Sequence, residues 1–236
     1  MASPLERLLA RDPALWPDGN VSPNRLGWLD SPARMRAEAP DLMAWARSVG
    51  QSKIVLLGMG GSSLGPEVLR AFAASDRLVV LDTTDPRTIA SVELDDAFFL
   101  VSSKSGTTLE VQALFAHAWA QVPDGSRYAA ITDPGTPLVD LAKEHGFARV
   151  FENAPDIGGR YSVLSYFGLV PAALLGYDVA RLCQGAIDVD GNEAAELGAA
   201  MGEAALEGRD KATVRVAPTS AAFGLWVEQL IAESTG

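Results

Sequence analysis

Lys53-Ile-Val-Leu-Leu-Gly-Met-Gly-Gly-Ser-Ser-Leu-Gly-Pro66 opens with an unbroken apolar run, Ile54 to Leu57, that ends on Gly58. A short run without polar alternation reads as a strand buried on both faces, as in parallel sheets. Beyond it, Gly58 to Pro66 forms a glycine loop, and Pro66 to Ala74 reads as a helix. Glycines let backbone N–H groups approach an anion closely, and the start of a helix favours negative charge. Strand, glycine loop and helix in that order make one unit of an α/β fold.

The same unit recurs downstream. RLVVLD (77–82), AFFLVS (97–102), RYAAIT (127–132) and ARVFE (148–152) read as further strands. Between them lie a short helix near 86–92, an amphipathic helix over 108–122, and a helix over 136–145 stopped by Gly146. Repeated strand–helix units predict a parallel sheet covered by helices on both faces. A helix over 162–175 closes this unit, and 193–207 reads as another. ATVRV (212–216) and a helix over 223–232 then look like the first strand and helix of a second α/β unit. A lone strand–helix pair cannot bury its own apolar face, so this end reads as cut. Upstream, residues 1–50 form a leader of short helices and turns, expected to pack on the outside of the main domain. In it, 41–49 carries Leu42, Trp45, Ala46 and Val49 at helical spacing before Gly50. The expected division is a leader (1–50), a first α/β domain (51–178), and a connection into a second one (179–236).

Composition narrows the function. Of 236 residues, 48% are hydrophobic and 21% charged, ordinary for a globular protein. The net charge of −11 and the lack of a basic stripe argue against nucleic acid as a partner. The longest apolar stretch, 163–176, is interrupted by Ser165 and Tyr166 and is too short to span a bilayer. No secretory signal opens the chain, and the single cysteine, Cys183, rules out an intramolecular disulfide. A cytoplasmic protein is expected, with no membrane partner. Cys183 reads as a small buried side chain, and His117 and His145 as structural or solvated.

Four segments could carry chemistry. The glycine loop fails as a Walker motif, since no Gly-Lys-Ser/Thr ends it. As a dinucleotide fingerprint it has Ser63 where the third glycine belongs, although Asp82 stands at a plausible distance for a ribose contact. A tight turn without a ligand stays open. SSKSGTT (102–108), between a strand and a helix, holds five hydroxyls, a glycine and Lys104. Thr107 and Glu110 have capping-box spacing, but so many hydroxyls exceed what a cap needs and suit a phosphate. Both loops end strands, where open α/β sheets bind ligands. GGRYS (158–162) brings Arg160 on a glycine turn, or is only a turn with a surface arginine. Finally, Gln229 and Glu233 lie four apart and share one helix face.

In order, GMGGSSLGPEV, SSKSGTTLE, GGRYSVLS and EQLIAESTG resemble the signature segments of glucose-6-phosphate isomerase, and more broadly the sugar isomerase (SIS) family. The leader, with ALW at 14–16 and LGWLD at 26–30, is similar to the isomerase part of bacterial transaldolase–isomerase fusions. The resemblance implies a three-layer SIS-type α/β domain and a sugar phosphate substrate, with no cofactor and no metal. It implies that Ser62, Ser103, Ser105 and Thr108 grip the phosphate, with Lys104 and Gly106 shaping the loop. Gly60 and Gly61 give close backbone approach, and Gln229 lines the site. Arg160 stabilises an enediolate, and Glu233 is the base that moves a proton between C2 and C1. A homodimer is implied for the full-length protein. The family's ring-opening histidine and a late lysine lie beyond the ESTG segment. The expectation is therefore an isomerase by ancestry that does not turn over as this stretch alone; the alternative is a non-catalytic sugar-phosphate-binding module. An NAD-dependent oxidoreductase is disfavoured by Ser63.

Overall fold

The computed structural model describes residues 3–15 and 25–235. Trp16 of the ALW segment and Gly236 of ESTG lie outside the described residues. In chain order the elements are α1 (Pro4–Leu9), α2 (Ser31–Ser48), β1 (Lys53–Gly58), α3 (Leu64–Ala73), β2 (Leu78–Leu81), α4 (Pro86–Ala90) and β3 (Ala97–Ser102). Then follow α5 (Leu109–Gln121), β4 (Tyr128–Thr132), α6 (Pro137–Glu144), β5 (Arg149–Glu152), α7 (Tyr166–Leu174), α8 (Val179–Ile187), α9 (Gly191–Leu206) and α10 (Ala221–Thr235).

All five strands are parallel, in the order β2-β1-β3-β4-β5. Alternate residues of each inner strand feed opposite faces, as the two-residue period of a strand requires. Ile54, Leu56, Phe98, Leu100, Ala129 and Ile131 pack with α2, α7 and α8. Val55, Leu57, Phe99, Val101, Tyr128 and Ala130 pack with α5 and α6. The inner strands β1, β3 and β4 are buried along nearly their whole length because both faces are covered, whereas the edge strand β5 carries Arg149 and an exposed Glu152. Tyr128 is fully buried, stacks on Phe99 with ring centres 4.6 Å apart, and donates its hydroxyl to the Val122 carbonyl at 2.9 Å. Cys183 is also fully buried in α8, and that burial pushes its thiol up to about 11.

Three local expectations are corrected. The leader helix is twice as long as expected, 31–48 rather than 41–49. Pro32 starts it, and Pro40 sits inside at the cost of one helical hydrogen bond. Met35, Ala39, Leu42 and Ala46, spaced four, three and four apart, bury one stripe and hold the helix across the proline. This helix packs against α7 and α8, so part of the leader is a constituent of the core layer. The expected strand at 212–216 is absent: these residues are irregular and exposed. A strand needs a ladder partner, and no described strand lies beside them. The helix after it does form, as α10. Lastly, the capping box at Thr107 and Glu110 does not form. Thr108 is the N-cap of α5, one residue later, and Thr107 turns back to donate both its N–H (3.2 Å) and its hydroxyl (2.9 Å) to Ser105 Oγ.

Candidate active site

The strand order reverses direction of travel between β1 and β3, and the loops leaving those two strands diverge there. In open α/β sheets that divergence opens a crevice at the carboxyl ends of the strands. The glycine loop after β1 and the hydroxyl loop after β3 therefore flank one crevice because of topology alone. The third loop, ahead of α7, closes over the glycine loop. A Cβ on Gly61 would lie 2.5 Å from the Gly159 carbonyl carbon, so the two backbones touch where neither residue has a side chain. Ser162 fastens the contact by donating to the carbonyls of Gly159 (2.6 Å) and Gly61 (3.2 Å).

Asp82 sets the glycine loop from beneath. Its carboxylate accepts the Gly60 N–H at 3.1 Å and the Ser63 hydroxyl. This carboxylate, a candidate ribose contact by sequence, is thus occupied in shaping the loop. Gly60 needs no side chain because its φ of +56° is left-handed.

A cavity of about 520 Å³ lies in the crevice. Gly61, Ser62, Lys104, Ser105 and Thr108 line it, together with Arg25, Met59, Asp133, Pro155 and Gly159. Lys104 pairs with Asp133 and donates to the Pro155 carbonyl at 3.1 Å. Ser103 is buried behind the cavity, with its hydroxyl 3.0 Å from that of Thr108. Gly106, at φ +67°, folds the loop tightly against Thr136 and Leu138. No side chain caps the first turn of α5, which leaves N–H groups at a positive helix end beside Thr108. Hydroxyls, an ammonium and free amides around one volume can receive several oxygens of an anion.

The remaining candidates form a second group on the rim. Arg160 Nε lies 3.7 Å from Glu233 Oε2, and Gln229 Nε2 donates to Glu233 Oε1 at 3.3 Å. A Cβ on Gly60 would fall 3.1 Å from Gln229 Nε2, which places α10 over the glycine loop. The Tyr161 hydroxyl and Ser234 Oγ, 3.1 Å apart, tie α10 to the third loop. Arg160 Nη1 is buried without a hydrogen-bond partner in the described residues. A buried guanidinium nitrogen left unpaired is costly, and a ligand oxygen would satisfy it. Arg160, Glu233 and Gln229 are not among the residues lining the large cavity; their link to it is Gly159, which does line it.

Sequence reasoning missed Arg25, Asp133 and Asp82's part in the loop. Asp133 was within reach: it follows β4 directly, at the carboxyl edge where ligands bind, and opens a Pro134-Gly135 turn. Arg25 carried no local signal.

Together these features define an open α/β protein with an anion-suited crevice at its topological switch point and an arginine–carboxylate pair beside it. A family model for phosphoglucose isomerase matches residues 41–196. The chain belongs to the phosphoglucose isomerase family. It is 33% identical over 212 residues to a glucose-6-phosphate isomerase of Synechococcus sp. (strain JA-3-3Ab), covering 78% of this chain and 40% of that one. A crystal structure of a hypothetical protein from Thermus thermophilus matches with a TM-score of 0.65 and 26% identity, over 97% of this chain and 51% of its own. A glucose-6-phosphate isomerase from Chlamydia trachomatis matches with a TM-score of 0.52 and 25% identity, over 95% and 42%. The chain thus spans about 40% of the length of the curated relative.

Proposed function

We propose that this site serves an aldose–ketose isomerase that interconverts glucose 6-phosphate and fructose 6-phosphate through an enediolate. The observation that carries the reading is the pairing of Glu233 with an arginine whose Nη1 is buried and unsatisfied, beside a hydroxyl-lined crevice. Ser62, Ser105, Thr108 and the amides opening α5 receive the phosphate, with Ser103 supporting Thr108 from behind and Lys104 supplying charge. Held at that end, the open-chain sugar lays C1 and C2 toward the rim. Glu233 takes the C2 proton of the aldose, and the electron pair moves toward the carbonyl oxygen on C1. Arg160 lies against the developing oxyanion, where a fixed positive group does most for the barrier. Glu233 then returns the proton to C1, and the hydroxyl proton on O2 moves to O1, leaving the ketose. Gln229 orients the Glu233 carboxylate through its amide.

Ring opening is not assigned to these residues: His145 packs at a tilt against Trp119 with ring centres 4.4 Å apart, in the aromatic cluster of α5 and α6. Turnover therefore belongs, in this reading, to the full-length protein, as a cytoplasmic homodimer with an SIS-type sheet. Similarity of the leader to transaldolase fusions supports a transaldolase as a fused neighbour.

The test is fructose 6-phosphate isomerisation by the full-length protein and its Glu233→Gln variant. Replacing the base should lower kcat by at least about 100-fold with little change in KM. Normal turnover in the variant would remove Glu233 from the mechanism.

A further inference from the structure

The leader enters the crevice at a point the family signature segments do not cover. Leu26 and Ile157 form an antiparallel bridge, and the Gly27 N–H donates to the Asp156 carbonyl at 3.1 Å. Leu26 and Ile157 are both buried, and the Asp156 carboxyl fills the space a side chain on Gly27 would need. Trp28 then stacks on Tyr161 with ring centres 5.5 Å apart. Residues 25–28 are thereby fastened to the loop that carries Arg160. This fastening delivers the Arg25 guanidinium to the cavity wall, where its Nη1 donates to the Pro155 carbonyl at 2.6 Å.

That same carbonyl accepts Lys104 Nζ at 3.1 Å. One backbone oxygen thus gathers two cations on the lining of the cavity that Ser62, Ser105 and Thr108 also line. Asp133 is the lone acid among the lining residues and is engaged by Lys104, so one positive charge is left over on a chain whose net charge is −11. With Lys104 already paired to Asp133, the charge left without an acidic partner on the cavity lining is that of Arg25, and an anion in the cavity would be attracted to it. A guanidinium offers five donors in a fork matched to phosphate oxygens, and a single carbonyl uses few of them.

We infer that Arg25 is a phosphate-binding residue of this crevice, supplied by the leader, and that it selects for the doubly charged end of the substrate. This inference rests on the sugar-phosphate reading above. Calorimetric titration of the protein with fructose 6-phosphate and with inorganic phosphate tests it, in the wild type, Arg25→Gln, Arg25→Lys and the Ser105→Ala/Thr108→Ala double variant. Arg25→Gln should weaken both ligands about tenfold. Arg25→Lys keeps a charge for the Pro155 carbonyl but loses the fork, and should weaken both about threefold. It remains decisive if the glutamine variant fails to fold. Unchanged affinity in the Arg25 variants, with weakened binding in the hydroxyl double variant, would overturn the role of Arg25 and leave the site reading standing. A loss for the sugar phosphate with none for inorganic phosphate would also overturn it. Unchanged affinity in all variants would take the site reading down as well.

Discussion

Gly61 shows how one missing side chain assembles the site. Its Cα faces the Gly159 backbone so closely that any Cβ would meet carbonyl atoms, which cannot rotate away as a side chain could. Gly61→Ala should therefore push the third loop outward and carry Arg160 with it. The expected cost is about 1–3 kcal/mol of stability, by the logic of overpacking. Weakened sugar-phosphate binding should accompany it. Chemical denaturation and ligand titration of the variant check both, and a wild-type midpoint with wild-type affinity would show that the contact is slack. The glycines were legible as places of close approach because composition alone flags them. What approached was not legible. Gly61 and Gly159 are nearly a hundred residues apart, and only the fold brings the two loops together. Arg25 is the stronger case: its placement depends on the pairing of Leu26 with Ile157, for which nothing near position 25 gives a cue.

At the scale of elements, apolar runs and glycine stops were sufficient for the five strands and the helices between them. Strands buried on both faces carry their signal in consecutive residues, so local reading works. It failed where an element's existence depends on distant partners. Residues 212–216 have strand-like chemistry, yet without a neighbour to complete the ladder they stay irregular. Helix α2 failed the opposite way: only 41–49 read as helical, but burial of Met35, Ala39, Leu42 and Ala46 carries the helix from Ser31 across Pro40 and outweighs the hydrogen bond lost there. Leu42 is 1% exposed and sits in the same cluster as Leu56 and Cys183. Leu42→Ala should then cost about 2–5 kcal/mol, the range for truncating a buried leucine. A thermal or urea unfolding curve decides this. A change below about 0.5 kcal/mol, typical of surface substitutions, would mean α2 is peripheral to the sheet.

The whole molecule follows from strand order. Placing β1 beside β3 puts the glycine and hydroxyl loops on either side of one crevice, and the sheet's helices hold both at fixed separation. Helix α10 reaches back to bring Gln229 and Glu233 over the rim, although it contributes no buried residue. It packs along α3 through half-buried Trp226, Val227, Leu230 and Ile231 and meets the third loop through polar contacts with Arg160 and Tyr161, whereas the crevice is built into the core. Phosphate binding should accordingly be the more robust property, with proton transfer more sensitive to what steadies α10. The most direct measurement compares the heats of binding of fructose 6-phosphate and unphosphorylated fructose, in the wild type and in Thr108→Ala. We predict that the phosphorylated sugar binds and the free sugar does not at the same concentrations. Loss of the Thr108 hydroxyl should weaken the phosphorylated ligand by about three- to tenfold, the worth of one hydrogen bond. Equal affinity for the two sugars, or an unchanged affinity in Thr108→Ala, would contradict a phosphate cradle at the β1–β3 crevice.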